Sequence, residues 1–414
     1  MNFEDLLKNW TTEISALRET MALAQIINIQ LLDDKSKEMK DFISSKCKIV
    51  DKKSESDFTY EIPDSVYTTH VSKKKEINNF TVACSIFPRM FIVTLLCQYD
   101  ALIGNLVKLV LNNKPEILIG SERTFTFQQI SSFNSIEDAR DALIAKEVES
   151  LLRKSHDEQL KWFENKLGIT LHSDEKLIKN FIEITERRNL YTHNNGIVNE
   201  SYLSNCEHYK ISTDAKIGDI LEVTPEYFNN ASNCLLEIGI KLTVIIWRNI
   251  LVAEKERSEV VTNQIAYGFI NDGKYDFALK ILDFCLSCFK TFISASNKLM
   301  INMNKAQCLL WMKQEENAKK LLDAQDWSLC TPQFIVCKKV LERKFDEAVE
   351  ILRNQDTQLD QKDLLSWPIF KELREQEIFI NYCNEKYPTT VKEYSEEIPN
   401  NVVEAEEQLK KESY

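Results

Sequence analysis

Apolar residues recur along most of this chain at the three-to-four-residue interval of an α-helix, and the predicted elements follow from where that interval starts and stops. Phe3, Leu6, Leu7 and Trp10 open a helical stretch that continues to about residue 45. From Ile49 to about Asn79 the pattern turns polar. Asp51-Lys52-Lys53-Ser54-Glu55-Ser56 reads as loop, Phe58-Thr59-Tyr60-Glu61-Ile62 as a short strand, and Ser72-Lys73-Lys74-Lys75-Glu76 as a solvated charge run that could touch RNA. This middle is expected to be a loop or hairpin excursion. Helical periodicity resumes near Phe80. Residues 138–166 read as one long amphipathic segment, with Ala142, Leu143, Val148, Leu151 and Leu152 apolar, ended by Gly168. A second helix runs from about Asp174 through Arg188 to His193. Gly218 to Val223 reads as a short strand, and Thr224-Pro225-Glu226 starts a helix, with Pro at its first position, that reaches about Val252.

Beyond Lys255 the pattern becomes weakly repetitive. Around Ala278, Ala318 and Ala348 the chain repeats a small residue followed by a hydrophobic pair, at intervals of 40 and 30 residues. The average lies near the tetratricopeptide period, so residues 255–384 are similar to degenerate helical-hairpin repeats, whose stacking would make a concave groove for a partner. The expected organisation is N-terminal helices with the polar excursion over 1–79, a helical domain over 80–254, the repeat region over 255–384, and an acidic tail over 385–414. After Asn384 there are eight acids and four bases with few core-forming residues, so the tail is expected to be solvated or disordered.

Composition narrows the class. Only 8 glycines and 8 prolines occur in 414 residues, which leaves few turn formers and predicts long helices with short connections, a mainly all-α fold. The 11 cysteines lie mostly in apolar runs, as reduced structural thiols do. Cys285 and Cys288 form a C-x-x-C with no second pair at zinc-ribbon spacing, and they read as part of a buried helix. The start of the chain shows no signal-peptide pattern and neither apolar candidate (from Met90 to Cys97, and Leu235 to Ala253) reads as a membrane span, so a cytoplasmic protein without membrane contact is expected. A net charge of −12 counts against a broad nucleic-acid surface. Between Ala145 and Asn195, however, nine bases balance nine acids.

That neutral region contains the run with the most chemistry, Glu186-Arg187-Arg188-Asn189-Leu190-Tyr191-Thr192-His193-Asn194-Asn195-Gly196-Ile197-Val198-Asn199. Arginine is a permanent cation whose fork matches phosphate oxygens. Histidine exchanges protons near neutral pH. Asn and Gly then stop the helix. Glu186, Asn189 and His193 share one stripe, whereas Arg188 lies about 140° round the axis from His193. The ordinary reading of such residues is structural: an Arg on a Glu-rich helix forms a surface ion pair, here with Glu183 or Glu186 within reach, and a His near a helix C-terminus complements the dipole.

The spacing Arg188-Asn189-x3-His193 resembles the Arg-x4-6-His signature of HEPN domains, all-α modules many of which are metal-independent ribonucleases of toxin, abortive-infection and antiviral defence systems. The resemblance covers roughly residues 85 to 250. It implies a homodimer with the site at the interface, where Arg and His from both chains meet in one cleft. It also implies an endoribonuclease in which the ribose 2′-hydroxyl attacks the adjacent phosphorus, leaving a 2′,3′-cyclic phosphate and a 5′-hydroxyl. His193 would be general base or acid, Arg188 would stabilise the charge on the phosphoryl oxygens, and Asn189 would bind the phosphate or orient His193. Arg187 and Glu186 stand as supporting candidates, with Arg187 an alternative to Arg188. No metal or cofactor is required. The second reading is a non-catalytic helical adaptor that dimerises through this core and recruits a partner, or senses a trigger, through its C-terminal repeats. A nucleotide-binding regulator has no glycine-rich phosphate loop to support it. His172 and His208 are expected at the surface.

Overall fold

Asn2 sets the start of the first helix: its side-chain oxygen accepts the Asp5 backbone N–H at 2.8 Å. In the computed structural model of the chain, which describes residues 2–52, 54, 58–119, 125–289 and 291–387, this helix, α1, runs unbroken over Phe3–Lys46. An antiparallel hairpin of β1 (Lys48–Lys52) and β2 (Phe58–Glu61) follows, with Ile49 opposite Tyr60 and an irregularity between Ile49 and Asp51. The polar excursion ends sooner than the sequence suggested. Helix α2 occupies Tyr67–Asn113, so the run Ser72 to Glu76 is helical and Lys73 Nζ donates to Glu38 Oε2 at 3.3 Å. No Gly or Pro stands between Pro63 and Pro88 to interrupt it, and Lys and Glu are good helix formers.

Two short helices, α3 (Glu116–Ile119) and α4 (Phe127–Ile130), lead to α5 (Ile136–Leu152) and α6 (His156–Leu167). The segment read as one amphipathic helix is therefore two. Ser155 breaks it by capping α6: its hydroxyl accepts the Glu158 N–H at 3.4 Å, and Glu158 Oε2 accepts the Ser155 N–H at 3.0 Å. Gly168, at φ 63°, closes α6 in the left-handed conformation that a helix stop requires. Asp174 caps α7 (Glu175–His193) by accepting the Leu177 N–H at 3.1 Å. After α8 (Glu200–His208), residues 218–223 contribute a single bridge, Ile197 to Ile220, rather than a strand. Thr224 and Pro225 start α9 (Pro225–Ile250), followed by α10 (Lys255–Asn271), α11 (Tyr275–Cys288) and α12 (Ala295–Trp311). The remaining helices are α13 (Glu315–Asp323), α14 (Pro332–Leu341), α15 (Phe345–Asn354), α16 (Gln361–Ser366), α17 (Lys371–Arg374) and α18 (Glu377–Lys386). Among the described residues the fold is all-α apart from the one two-stranded sheet.

The chain forms two compact units, Met1–Cys308 and Leu309–Tyr414. The division expected at 79/80 falls inside α2, and that at 254/255 falls inside the first unit, because α10 and α11 pack on α9. The acidic tail read from the sequence lies, from residue 388 on, outside the described residues. The same turn recurs after α10, α12 and α14. Gly273, Lys313 and Arg343 take φ of 73°, 60° and 58°, and the next N–H in each case reaches back to the carbonyl of Phe269, Leu309 or Lys339. The alanines of the following helices, Ala278, Ala318 and Ala348, are each 0% exposed, as a small residue at a close helix crossing should be.

In the first unit α9 is the central element. Most of its residues from Ala231 to Trp247 are buried, and α1, α2, α7, α10 and α11 pack against it. α1 comes closest. Trp10 lies over Gly239, where a Cβ would stand 2.2 Å from the indole nitrogen, and that nitrogen donates to the Leu236 carbonyl at 3.4 Å. Phe3 stacks on Trp247 at 6.0 Å. Residues 64–113, which include α2, are long and apolar enough to cross a bilayer by length and composition. Within the bundle, Ile92 to Leu111 of α2 pack against α1, α5, α7 and α9. Cys285 is buried in α11 and burial raises its thiol pKa. Among the described residues no three His, Cys, Asp or Glu side chains cluster to hold a metal ion.

The Trp10–Gly239 contact gives a direct test. Gly239→Ala forces α1 off α9 and should cost about 1–3 kcal/mol by overpacking, read as a lower urea midpoint in far-ultraviolet circular dichroism; an unchanged midpoint would refute the close approach.

Candidate functional site

The last turns of α7 and the turn that follows hold the residues singled out by sequence, and two neighbouring arginines there have opposite surroundings. Arg187 is committed to the fold. Its Nε donates to Glu183 Oε1 at 2.8 Å, and its guanidinium lies 3.9 Å from the centre of the Tyr227 ring. Glu183 is the hub: Tyr202 of α8 donates to Oε1 at 3.0 Å and Tyr227 of α9 donates to Oε2 at 2.9 Å. One carboxylate thus ties α7, α8 and α9 together. Burial opposes the charge on Arg187, but Tyr227, Glu183, Tyr191 and Tyr202 outweigh it and raise its pKa. Burial, then Glu183, holds the phenols of Tyr202 and Tyr227 above the ordinary range.

Arg188 has no such commitment. It is half-buried, its Nε is enclosed without a hydrogen-bond partner, and its side chain forms no ion pair among the described residues. Asn189, also half-buried, and His193, exposed at the last position of α7, likewise have no side-chain hydrogen bond to a described residue. Glu186 accepts from Asn205 Nδ2 at 2.8 Å. Of the sequence candidates, Arg187 and Glu186 are therefore structural, and Arg188, Asn189 and His193 are free to meet a ligand. No hydrogen bond joins Arg188 to His193, as their separation of about 140° round one helix leads one to expect.

The exit from α7 is fixed tightly. The N–H groups of Asn194 and Gly196 both donate to the Leu190 carbonyl, at 2.8 and 3.0 Å, with Asn195 and Gly196 at φ 51° and 80°. A Cβ on Gly196 would lie 3.1 Å from the Tyr191 ring in a backbone conformation that favours glycine. The Asn194 side chain donates to the Ile197 carbonyl at 2.7 Å. Beneath the turn, Leu190, Val198, Tyr202 and Cys206 form a small core.

Sequence reasoning missed Arg89. It lies 106 positions before Asn195, yet its Nη1 donates to the Asn195 carbonyl at 2.7 Å and its guanidinium stands 5.9 Å from the Tyr191 ring centre. A signal was present: Arg89 is the one charged residue between Glu76 and Asp100. His172 is half-buried between Asp157 and Glu164, at 3.1 and 2.9 Å, rather than free at the surface, while His208 is exposed. A cavity of about 580 Å³ lies by the opposite end of α7, where Lys241 pairs with Asp174 at 2.9 Å and with Glu237 at 2.5 Å.

Two outcomes test this account. Glu183→Ala should lower stability by roughly 3–5 kcal/mol, because it leaves a largely buried guanidinium unpaired, whereas Arg188→Ala should leave the unfolding midpoint nearly unchanged. Tyr191, whose phenol burial pushes up to about 12 from 10.0 with Arg187 pulling against it, adds stability that is full below pH 10 and lost as pH rises toward 12. Tyr191→Phe should flatten that alkaline fall in urea midpoint; an equal fall in both proteins would contradict it. In comparisons with known proteins, no family model, no curated protein and no solved structure matches this chain.

Proposed function

We propose that the chain is a metal-independent endoribonuclease of HEPN type, acting at the C-terminal end of α7. The observation that carries this reading is the contrast between adjacent arginines: Arg187 is locked onto Glu183 and Tyr227, while Arg188 is half-buried, its enclosed Nε without a hydrogen-bond partner among the described residues. An enclosed guanidinium N–H with no acceptor is available to an anion, and a phosphate supplies one. His193, exposed at the same helix end, is placed to exchange a proton with solvent or a ribose hydroxyl. Asn189 lies between them in sequence and has an amide free to hold the phosphate.

In this mechanism His193 takes the proton from the ribose 2′-hydroxyl, the 2′-oxygen attacks phosphorus, and the 5′-oxygen leaves with a proton returned by an imidazolium. Arg188 stabilises the charge that builds on the phosphoryl oxygens. Because the two side chains diverge around α7, the site is completed by the same helix of a second copy. Such a protein belongs in the cytoplasm, in a defence or toxin role. The adaptor reading draws support from the overall charge of −12 and from the alanine-centred helix pairs beyond residue 255.

Incubation of the purified protein with total cellular RNA in EDTA should yield fragments ending in 2′,3′-cyclic phosphate. Arg188→Ala and His193→Ala should each slow cleavage by on the order of 10²–10⁴-fold with the fold intact, and Arg187→Ala should act through stability. Absence of cleavage, together with equal growth of cells expressing wild type and His193→Ala, would sink the nuclease reading in favour of the adaptor.

A further inference from the structure

The antiparallel pair α1 and α2 forms an arm whose middle carries more apolar side chains than its own seam covers. No charged residue occurs over the 13 positions from Thr20 to Leu32 of α1 or the 12 from Ile77 to Pro88 of α2. Within this uncharged band the covered side holds buried Met21 and half-buried Ala24, Gln25, Asn28 and Leu32 of α1, with half-buried Ile77, Phe80, Cys84 and Phe87 of α2. Further large apolar side chains are left exposed. Leu23, Ile26, Ile27 and Ile29 of α1 and Val82, Ile86 and Met90 of α2 are each between 45% and 63% exposed. Leu23, Ile26 and Ile27 fall at i, i+3 and i+4, and Val82, Ile86 and Met90 at i, i+4 and i+8, so each helix presents a straight apolar stripe. A helix pair that needed only its own seam would carry polar residues at these outward positions.

Ion pairs hold the arm together on the far side of the band. Lys35 pairs with Glu38 and Glu76, at 3.1 and 3.7 Å, and Lys73 with Glu38 at 3.3 Å. Tyr60 and His70 share a 2.8 Å hydrogen bond beside the β-hairpin. The band is therefore an apolar ring between two well-anchored ends.

We infer that this band is where a second copy of the chain docks, arm against arm, in a four-helix arrangement. Seven side chains exposing on the order of 100 Å² each present on the order of 700 Å², above the largest apolar patch of an ordinary monomer and close to one partner's share of a standard interface. The surface carries no charge pattern that would select a different protein, and a neutral apolar face fits its own copy across a two-fold axis. Gln30, on the same stripe one turn past Ile27, is a polar residue able to fix the register. A bilayer is a poorer occupant. Although α2 has the length and composition to cross one, the α1 band beside it is about 20 Å long against the roughly 30 Å of a hydrocarbon core, and it contains Gln25, Asn28 and Gln30. Arg89, between Ile86 and Met90 in the chain, holds the Asn195 carbonyl, so this interface reaches the turn that ends α7. The inference concerns association alone and stands whether or not the α7 site cleaves RNA.

Light scattering of the full-length protein on a sizing column, at micromolar concentration, should give twice the 48.2 kDa chain mass. Ile26→Glu with Ile27→Glu should return it to a single chain with its circular dichroism unchanged, the milder Leu23→Gln with Ile27→Gln should weaken association at least tenfold, and His193→Ala should remain dimeric. A monomeric wild type, or arm variants that stay dimeric, would overturn the inference. So would monomers that float with phosphatidylcholine vesicles and lose this property in the same variants, an outcome that assigns the band to a membrane.

Discussion

Gly239 is where the first unit is decided. α9 is surrounded by other helices, and a helix in that position can accept a neighbour closely only where its own surface is bare. At Gly239 the bare patch admits the indole of Trp10, which fills the space a methyl group would take and returns a hydrogen bond to the Leu236 carbonyl. With Trp10 seated, Phe3 reaches Trp247, and the first part of α1 becomes a core element of the bundle. α2 then pairs with α1 along its length, and its C-terminal half carries Tyr99 into contact with Trp10 and Phe181. The orientation of α7, and with it the motif, follows from this packing.

Polar groups in the same unit are distributed unevenly, and that is informative. Glu183 accepts hydrogen bonds from three side chains on three helices, which is how a carboxylate can be withdrawn from water without a large penalty. Arg248 and Glu259 repeat the solution where α9 meets α10: Glu259 is 0% exposed and also accepts from Asn297, while the Arg248 guanidinium lies 3.9 Å from the Phe289 ring centre. Against this background of satisfied charges, the enclosed and unpartnered Nε of Arg188 and of Arg89, both near the end of α7, stand apart. Two guanidinium Nε atoms are thus left without hydrogen-bond partners among the described residues beside one helix terminus.

The arm obeys a different constraint. In the bundle, apolar side chains turn inward and the helix faces read in the usual way. Between residues 20 and 32 and between 77 and 88, Met21, Phe80 and Phe87 are covered, yet Leu23, Ile26, Ile27, Ile29, Val82 and Ile86 remain exposed. Helical periodicity is preserved, so what has changed is the identity of the neighbour, and the exposed stripe has none among the described residues.

The sequence by itself determined the class and most of the local geometry. Few glycines and prolines, unbroken three-to-four periodicity, and the caps at Asp174, Gly168 and Thr224-Pro225 specify helices through short-range hydrogen bonds and sterics that need no distant partner. It also placed Arg188, Asn189 and His193 at one helix end. It misplaced what depends on weak local signals: Ser155 split a segment read as continuous, and α2 ran through the polar stretch before Phe80. Tertiary structure alone decided which charges were spent. Arg187 and Arg188 are neighbours with the same chemistry, and only the arrival of Tyr202 and Tyr227 from α8 and α9 separates a structural cation from a free one. The same holds for Arg89, brought to Asn195 across 106 residues, and for the outward face of α1. These outcomes depend on contacts between segments far apart in the chain, and periodicity, a local property, carries no record of which segments meet.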